Sequence, residues 1–126
     1  MKSNLGATPP KNGSYKEYYR GGQLSSEGDY KNGQKTGEWK YYLKNGVLRA
    51  KGNNIGEAVD GEWVFYHENG KLWQTGWFNR NKKIGTWKRF HDNGELYDEG
   101  FYANGKKTGE WKTYDTHGKL LKTQVY

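Results

Sequence analysis

Glu27-Gly28-Asp29-Tyr30-Lys31-Asn32-Gly33-Gln34-Lys35-Thr36-Gly37-Glu38-Trp39 sets the pattern of the whole chain. Its centre is an Asn-Gly pair between two short, aromatic segments. Asn and Gly accept positive φ at little cost, so the pair is the strongest short-range signal for a β-hairpin. The stretch recurs along the chain. Trp39, Trp63, Trp87 and Trp111 are spaced 24 residues apart, with Tyr15 one period earlier. Gly13, Gly37, Gly61, Gly85 and Gly109 each stand two residues before that aromatic, and Tyr18, Tyr42, Tyr66, Phe90 and Tyr114 three residues after it. Gly22, Gly46, Gly70, Gly94 and Gly118 follow, then Leu24, Leu48, Leu72, Leu96 and Leu120. Gly28, Gly52, Gly76 and Gly100 come next, with Tyr30, Phe78 and Tyr102 two places on. Spacing that never slips over five copies identifies a repeat protein.

A second set of Asn-Gly signals, at Asn45-Gly46, Asn69-Gly70 and Asn93-Gly94, divides each unit again. No stretch between glycines is long enough for a stable amphipathic helix. The reading is therefore all-β: two strands per repeat, about ten strands in all, in an elongated single-layer antiparallel β-meander of repeated hairpins. Residues 1–12 form an N-terminal arm and residues 13–126 the repeat domain, divided into 13–36, 37–60, 61–84, 85–108 and 109–126.

The period resolves a contradiction in the composition. Leu, Ile, Val and Phe number only 18 of 126 residues and the net charge is +7, a balance that on its own reads as disorder. Yet the chain holds 6 Trp, 11 Tyr and 4 Phe, which disordered chains lack. Stacked at one period, these rings form ladders, and a few buried aromatics per repeat can replace an aliphatic core. The glycines between them let a neighbouring ring lie flat on the backbone. Cysteine is absent, which excludes disulfides, thiolate metal sites and cysteine nucleophiles. No apolar run has signal-peptide or membrane-span length. Taken as written, the chain is expected to be cytoplasmic; a removed signal would leave no trace.

The quoted stretch resembles the bacterial variant of the MORN repeat, and the resemblance covers Gly13 to Tyr126. It implies an elongated hairpin meander without intrinsic enzymatic activity or cofactor. Bacterial members of that family are commonly described as antitoxins of toxin–antitoxin systems. Eukaryotic relatives are associated with dimerisation, scaffolding and membrane phospholipids. The chain departs from the pattern after Gly52, where Asn54-Ile55-Gly56-Glu57-Ala58-Val59 replaces the expected Tyr-Lys-Asn-Gly-Lys-Lys.

Positions alike in every copy serve architecture, so function is sought where the copies differ. The thirteenth residue of each repeat reads Ser25, Arg49, Trp73, Tyr97, Leu121, and the seventeenth Asp29, Asn53, Trp77, Phe101, Val125. Strand alternation places the two on one face, opposite the repeated Leu and the final aromatic. That face is expected to be polar in the first two repeats and apolar in the last three. Trp73, Trp77, Tyr97, Phe101, Leu121 and Val125 are thus the candidate partner-binding residues, for another protein such as a toxin or for a second copy. The bland reading is that the C-terminal half folds on itself. Pro9-Pro10 blunts the first edge, whereas the last strand is either an edge suited to pairing or the cut end of a longer array.

Lys35, Lys82, Lys83, Lys106 and Lys107 recur at one turn and are expected to line up as a basic ridge. Single-stranded nucleic acid or an anionic membrane could use such a ridge. With 17 lysines against four arginines, these partners rank behind protein, and solubilising turn lysines are the commoner case. His67 and His91 share a repeat position, but no carboxylate or thiolate spacing accompanies them to complete a metal site. Glu38, Glu62 and Glu110 sit in similar environments that would not drive their pKa values apart for acid–base work. No nucleophile elbow, phosphate loop or zinc helix is present, so the chain is not expected to be an enzyme.

Overall fold

The computed structural model describes residues 8–126. Ten strands follow one another: β1 Gly13–Tyr18, β2 Leu24–Lys31, β3 Gln34–Tyr42, β4 Leu48–Ile55, β5 Ala58–Tyr66, β6 Leu72–Asn79, β7 Lys82–Phe90, β8 Leu96–Ala103, β9 Lys106–Tyr114 and β10 Leu120–Val125. They form a single open sheet in chain order, every neighbouring pair antiparallel. There is no helix among the described residues. The anticipated all-β meander of repeated hairpins is the observed one.

The two Asn-Gly signals build different turns. Asn32-Gly33 and Asn104-Gly105 close two-residue hairpins with positive φ at both positions (53° and 78°, 52° and 84°), as type I′ demands. Arg80-Asn81 does the same without a glycine. At Asn45-Gly46 only the glycine has positive φ, and the backbone N–H of Gly46 donates to the carbonyl of Leu43 at 2.9 Å. The Asn45 side-chain oxygen accepts from the Val47 N–H at 3.0 Å. This is the three-residue loop built on a type I turn. The deviant segment keeps its hairpin too: Ile55 pairs with Ala58, and Gly56 (φ 61°) supplies positive φ at the first turn position only, which fits type II′.

Tryptophans hold the sheet. Trp39, Trp63, Trp87 and Trp111 are the buried large residues, between 1% and 6% exposed. Each indole lies flat on the glycine of the preceding strand. A β-carbon placed on Gly28, Gly52, Gly76 or Gly100 would stand 2.3, 2.1, 2.0 or 2.1 Å from the ring of Trp39, Trp63, Trp87 or Trp111. The indole N–H donates to the carbonyl of Asp29, Asn53, Trp77 or Phe101, so none of these four buried indole donors is left unpaired. Ring contacts run without a break from Tyr15 through Tyr30, Trp39, Tyr41, Trp63, Phe78, Trp87, Tyr102 and Trp111 to Tyr126, with centroids 5.1–6.5 Å apart. Where repeat two has Asn54 instead of the final aromatic, Tyr41 closes the gap by stacking on Trp63.

Every repeat carries a β-bulge at its thirteenth residue. The pairing passes from Phe65↔Gln74 to Tyr66↔Leu72, leaving Trp73 without an opposite number. Ser25, Arg49, Tyr97 and Leu121 are skipped in the same way. A bulge shifts the alternation by one. The repeated Leu therefore shares a face with Tyr18, Tyr42, Tyr66, Phe90 and Tyr114, whereas the final aromatic lies with the tryptophans.

The opposite face has its own half-buried link. The Tyr42 hydroxyl donates to the Glu27 carboxylate at 2.6 Å. Burial, aided by that bond and the carboxylate charge, pushes the Tyr42 pKa from 10.0 up to about 12. The folded state holds this proton more tightly than the unfolded chain does. Its stabilisation is complete below pH 10 and is lost as pH rises towards 12. Denaturation midpoints measured across that window should fall further for the wild type than for Tyr42→Phe.

Candidate functional site

The bulge redistributes the candidate residues. Trp73 packs against Phe65 (6.1 Å) and His67 (6.2 Å), and Tyr97 against His91 (4.9 Å), all on the side of the buried tryptophans. Trp77, paired with Glu62 and Ile84, and Phe101, paired with Thr86 and Thr108, point the other way. The six residues do not form one face, contrary to the simple alternation. Parity fails because one unpaired residue, Trp73 or Tyr97, lies between the repeated Leu and the seventeenth position. What stands is their exposure: Trp73, Trp77, Tyr97, Phe101, Leu121 and Val125 are between 37% and 73% exposed.

The outer face, opposite the tryptophans, is thus organised as a row. Its stations on β2 and β4 are Asp29 and Asn53, and on β6, β8 and β10 they are Trp77, Phe101 and Val125. Alternate strands stand roughly 10 Å apart, so the three apolar residues span about 20 Å. Half-buried Ile84 fills the β7 station between the two rings. Polar and charged groups edge the row. A shallow hollow of about 500 Å³ around Phe101 is lined by Thr86, Glu99, Thr108, Glu110 and Lys112. An apolar centre within a polar rim is the anatomy of a protein-binding patch.

The five lysines divide into two sets. Lys35, Lys83 and Lys107 fold back over the rings of Trp39, Trp87 and Trp111, each ammonium 4.6 Å from the ring centroid. Their aliphatic stems cover indole and their charge faces its π-cloud, which outweighs projection into solvent. Burial lowers the Lys83 pKa, with Arg89 and Lys107 adding to the effect. Lys82 and Lys106 are exposed at the turns, paired with Asn79 and Ala103, and Lys107 stays exposed as well, while Lys35 and Lys83 are half-buried. Arg89 closes the cluster, donating twice to Asp98 at 3.0 and 2.7 Å while lying 5.0 Å from the Tyr97 ring.

The histidines are structural. Nε2 of His67 lies 2.7 Å from the Phe90 carbonyl, and Nε2 of His91 lies 2.9 Å from that of Tyr114. A carbonyl only accepts, so Nε2 carries the hydrogen in both rings. Asn69 and Asn93 donate to the carbonyls of Asp92 and Thr116, and the Tyr19 hydroxyl donates to that of Tyr42, tying each repeat to the next. Among the described residues no three His, Asp or Glu side chains are grouped to hold a metal ion.

Comparison with known families gives one match. The model of the MORN repeat variant matches residues 11–32, 35–53, 59–76, 83–104 and 107–126. No curated protein matches the chain.

Proposed function

Since the chain belongs to the MORN repeat variant family, we propose that it is a non-enzymatic interaction module whose outer face, through Trp77, Phe101 and Val125, binds another protein. The observation that carries the reading is the exposure of these three residues, 49%, 53% and 73%, in one row on a face whose equivalent stations in the first two repeats are Asp29 and Asn53. Nothing in the sheet requires an aromatic there, because the buried tryptophans and glycines repeat without regard to it. Large exposed rings surrounded by polar groups are what interface hot spots are made of. Masking a partner, as an antitoxin-type protein would, is the finer form of the proposal. It is supported by the position of the row on an open sheet face, where a folded partner has unhindered access.

Replacing Trp77 and Phe101 together by Ser should leave the thermal midpoint close to the wild type, since both side chains are exposed, and should abolish capture of the cognate partner from the native host. Trp73→Ser with Tyr97→Ser, on the tryptophan side, should retain capture. Equal capture by all three proteins would refute the outer face as the binding surface. Light scattering over a concentration series separates this reading from self-assembly, which predicts a mass that rises with concentration and falls back in the Trp77/Phe101 variant.

A further inference from the structure

The tryptophan side of the sheet is not uniform. Over Trp39, Trp87 and Trp111 a lysine covers the ring, but the equivalent residue beside Trp63 is Val59. At the station where repeat four has Arg89 tied to Asp98, repeat three has Phe65. Both substitutions remove charge from the same place. They leave an open groove of about 350 Å³ walled by Tyr41, Trp63, Phe65 and Trp73 and floored by Ala50 and Val59. Tyr41 and Phe65 stack beside Trp63 at 28° and 29°, and Trp73 stands nearly perpendicular to Phe65 at 80°. The equivalent space over Trp87 is about 150 Å³ and is occupied at its border by Lys83, Arg89 and Asp98.

The remaining lining residue is Arg49, brought to this side by its bulge. It is exposed and makes no hydrogen bond or ion pair with any described residue. No carboxylate lines the groove. At the edge of the groove the ammonium of Lys35 donates to the Tyr41 hydroxyl at 3.2 Å. Across the strand pair from Val59, Asn54 is buried with its side-chain N–H₂ unpaired. Among the described residues the one charged group lining the groove is thus the Arg49 guanidinium, which would repel an organic cation despite the aromatic walls. A planar ring would pack against Tyr41, Phe65 and Trp73, with buried Trp63 as the backing of the groove. A carboxylate on that ring would take the guanidinium's two parallel donors.

We propose that the groove between repeats two and three is a binding site for a small planar aromatic carboxylate, held by Tyr41, Trp63, Phe65 and Trp73 and anchored by Arg49. The volume lies within the range of small-molecule sites, and the walls are supplied by the ladder itself, so they are largely preformed. The site is on the opposite side of the sheet from the protein-binding row and does not depend on it.

Calorimetric titration with 2-naphthoate, its neutral analogue 2-naphthamide and a naphthyl-trimethylammonium salt tests the assignment on the wild-type protein, with amide NMR shifts locating each probe. The carboxylate should bind saturably, with shifts centred on Val59, Phe65 and Trp73. The amide should bind about tenfold or more weakly, the loss of a charge-assisted pair, and the cation not at all. Arg49→Gln should reduce the carboxylate to the level of the amide and leave the amide unchanged. Trp73→Ser should weaken both. No saturable binding, equal affinity for acid and amide, preference for the cation, or shifts centred on Trp77 and Phe101 would each overturn the proposal.

Discussion

Gly76→Ala is expected to destabilise the protein by about 3 kcal/mol, the upper end of the usual range for an overpacked core. The added methyl would stand 2.0 Å from Cδ2, 2.1 Å from Cε2 and 2.4 Å from Cε3 of Trp87, a side chain that is 2% exposed. The ring cannot step aside cheaply. Phe78 and Tyr102 pack on it at 5.2 and 5.9 Å, Lys83 covers it, and its N–H is committed to the carbonyls of Trp77 and Ile84. Alanine also narrows the unfolded ensemble, which works the other way by about 0.4–1 kcal/mol, but that is too little to offset the collision. Gly70→Ala provides the contrast. A β-carbon there meets nothing within 4 Å, and the cost is only the left-handed φ of 85°, about 1–2 kcal/mol. Chemical denaturation of the two variants should rank them in that order.

Trp63→Ala is expected to do more, costing about 3–5 kcal/mol, as loss of a buried indole generally does. Its position makes the consequence larger than the number. Trp63 touches Tyr41 on one side and Phe78 on the other, and with Asn54 in place of the aromatic that elsewhere bridges successive tryptophans, the Tyr41 contact carries that link. In a linear array, stability is a sum of repeat and neighbour terms, so cutting one neighbour term uncouples what lies on either side. Calorimetry should show the single transition of the wild type replaced by two. Amide exchange should show β1 to β4 losing protection before β7 to β10.

The relation between sequence and structure follows from which interactions are local. The period, the strand count and the glycine seats for the tryptophans were legible because each involves residues on one hairpin. The bulges were not. Ser25, Arg49, Trp73, Tyr97 and Leu121 share no residue type, and a one-residue slip in pairing leaves no compositional trace. That slip moved Trp73 and Tyr97 away from Trp77 and Phe101, and it also put Arg49 beside an aromatic groove that alternation would have placed elsewhere. The lysines are a different case. Lys35, Lys83 and Lys107 stand four residues before Trp39, Trp87 and Trp111, a spacing visible in the chain, but the folding of their stems over the rings depends on the face to which the pairing brings both. The departure at residues 54–59 was visible as a departure. Its effect, a hairpin kept by Gly56 and an aromatic groove without the covering lysine at Val59, depends on the next repeat. The same holds for His67 and His91, whose partners lie 23 residues away.

Ring-on-glycine contact, rather than backbone freedom at the glycine, is what holds successive repeats together. A double-mutant cycle on Gly76 and Trp87 tests this most directly, using Trp87→Leu to vacate the space above the glycine while keeping an apolar side chain. Gly76→Ala should cost about 3 kcal/mol with Trp87 in place and close to nothing, or slightly less than nothing, with leucine there. The same cost in both backgrounds would contradict the account.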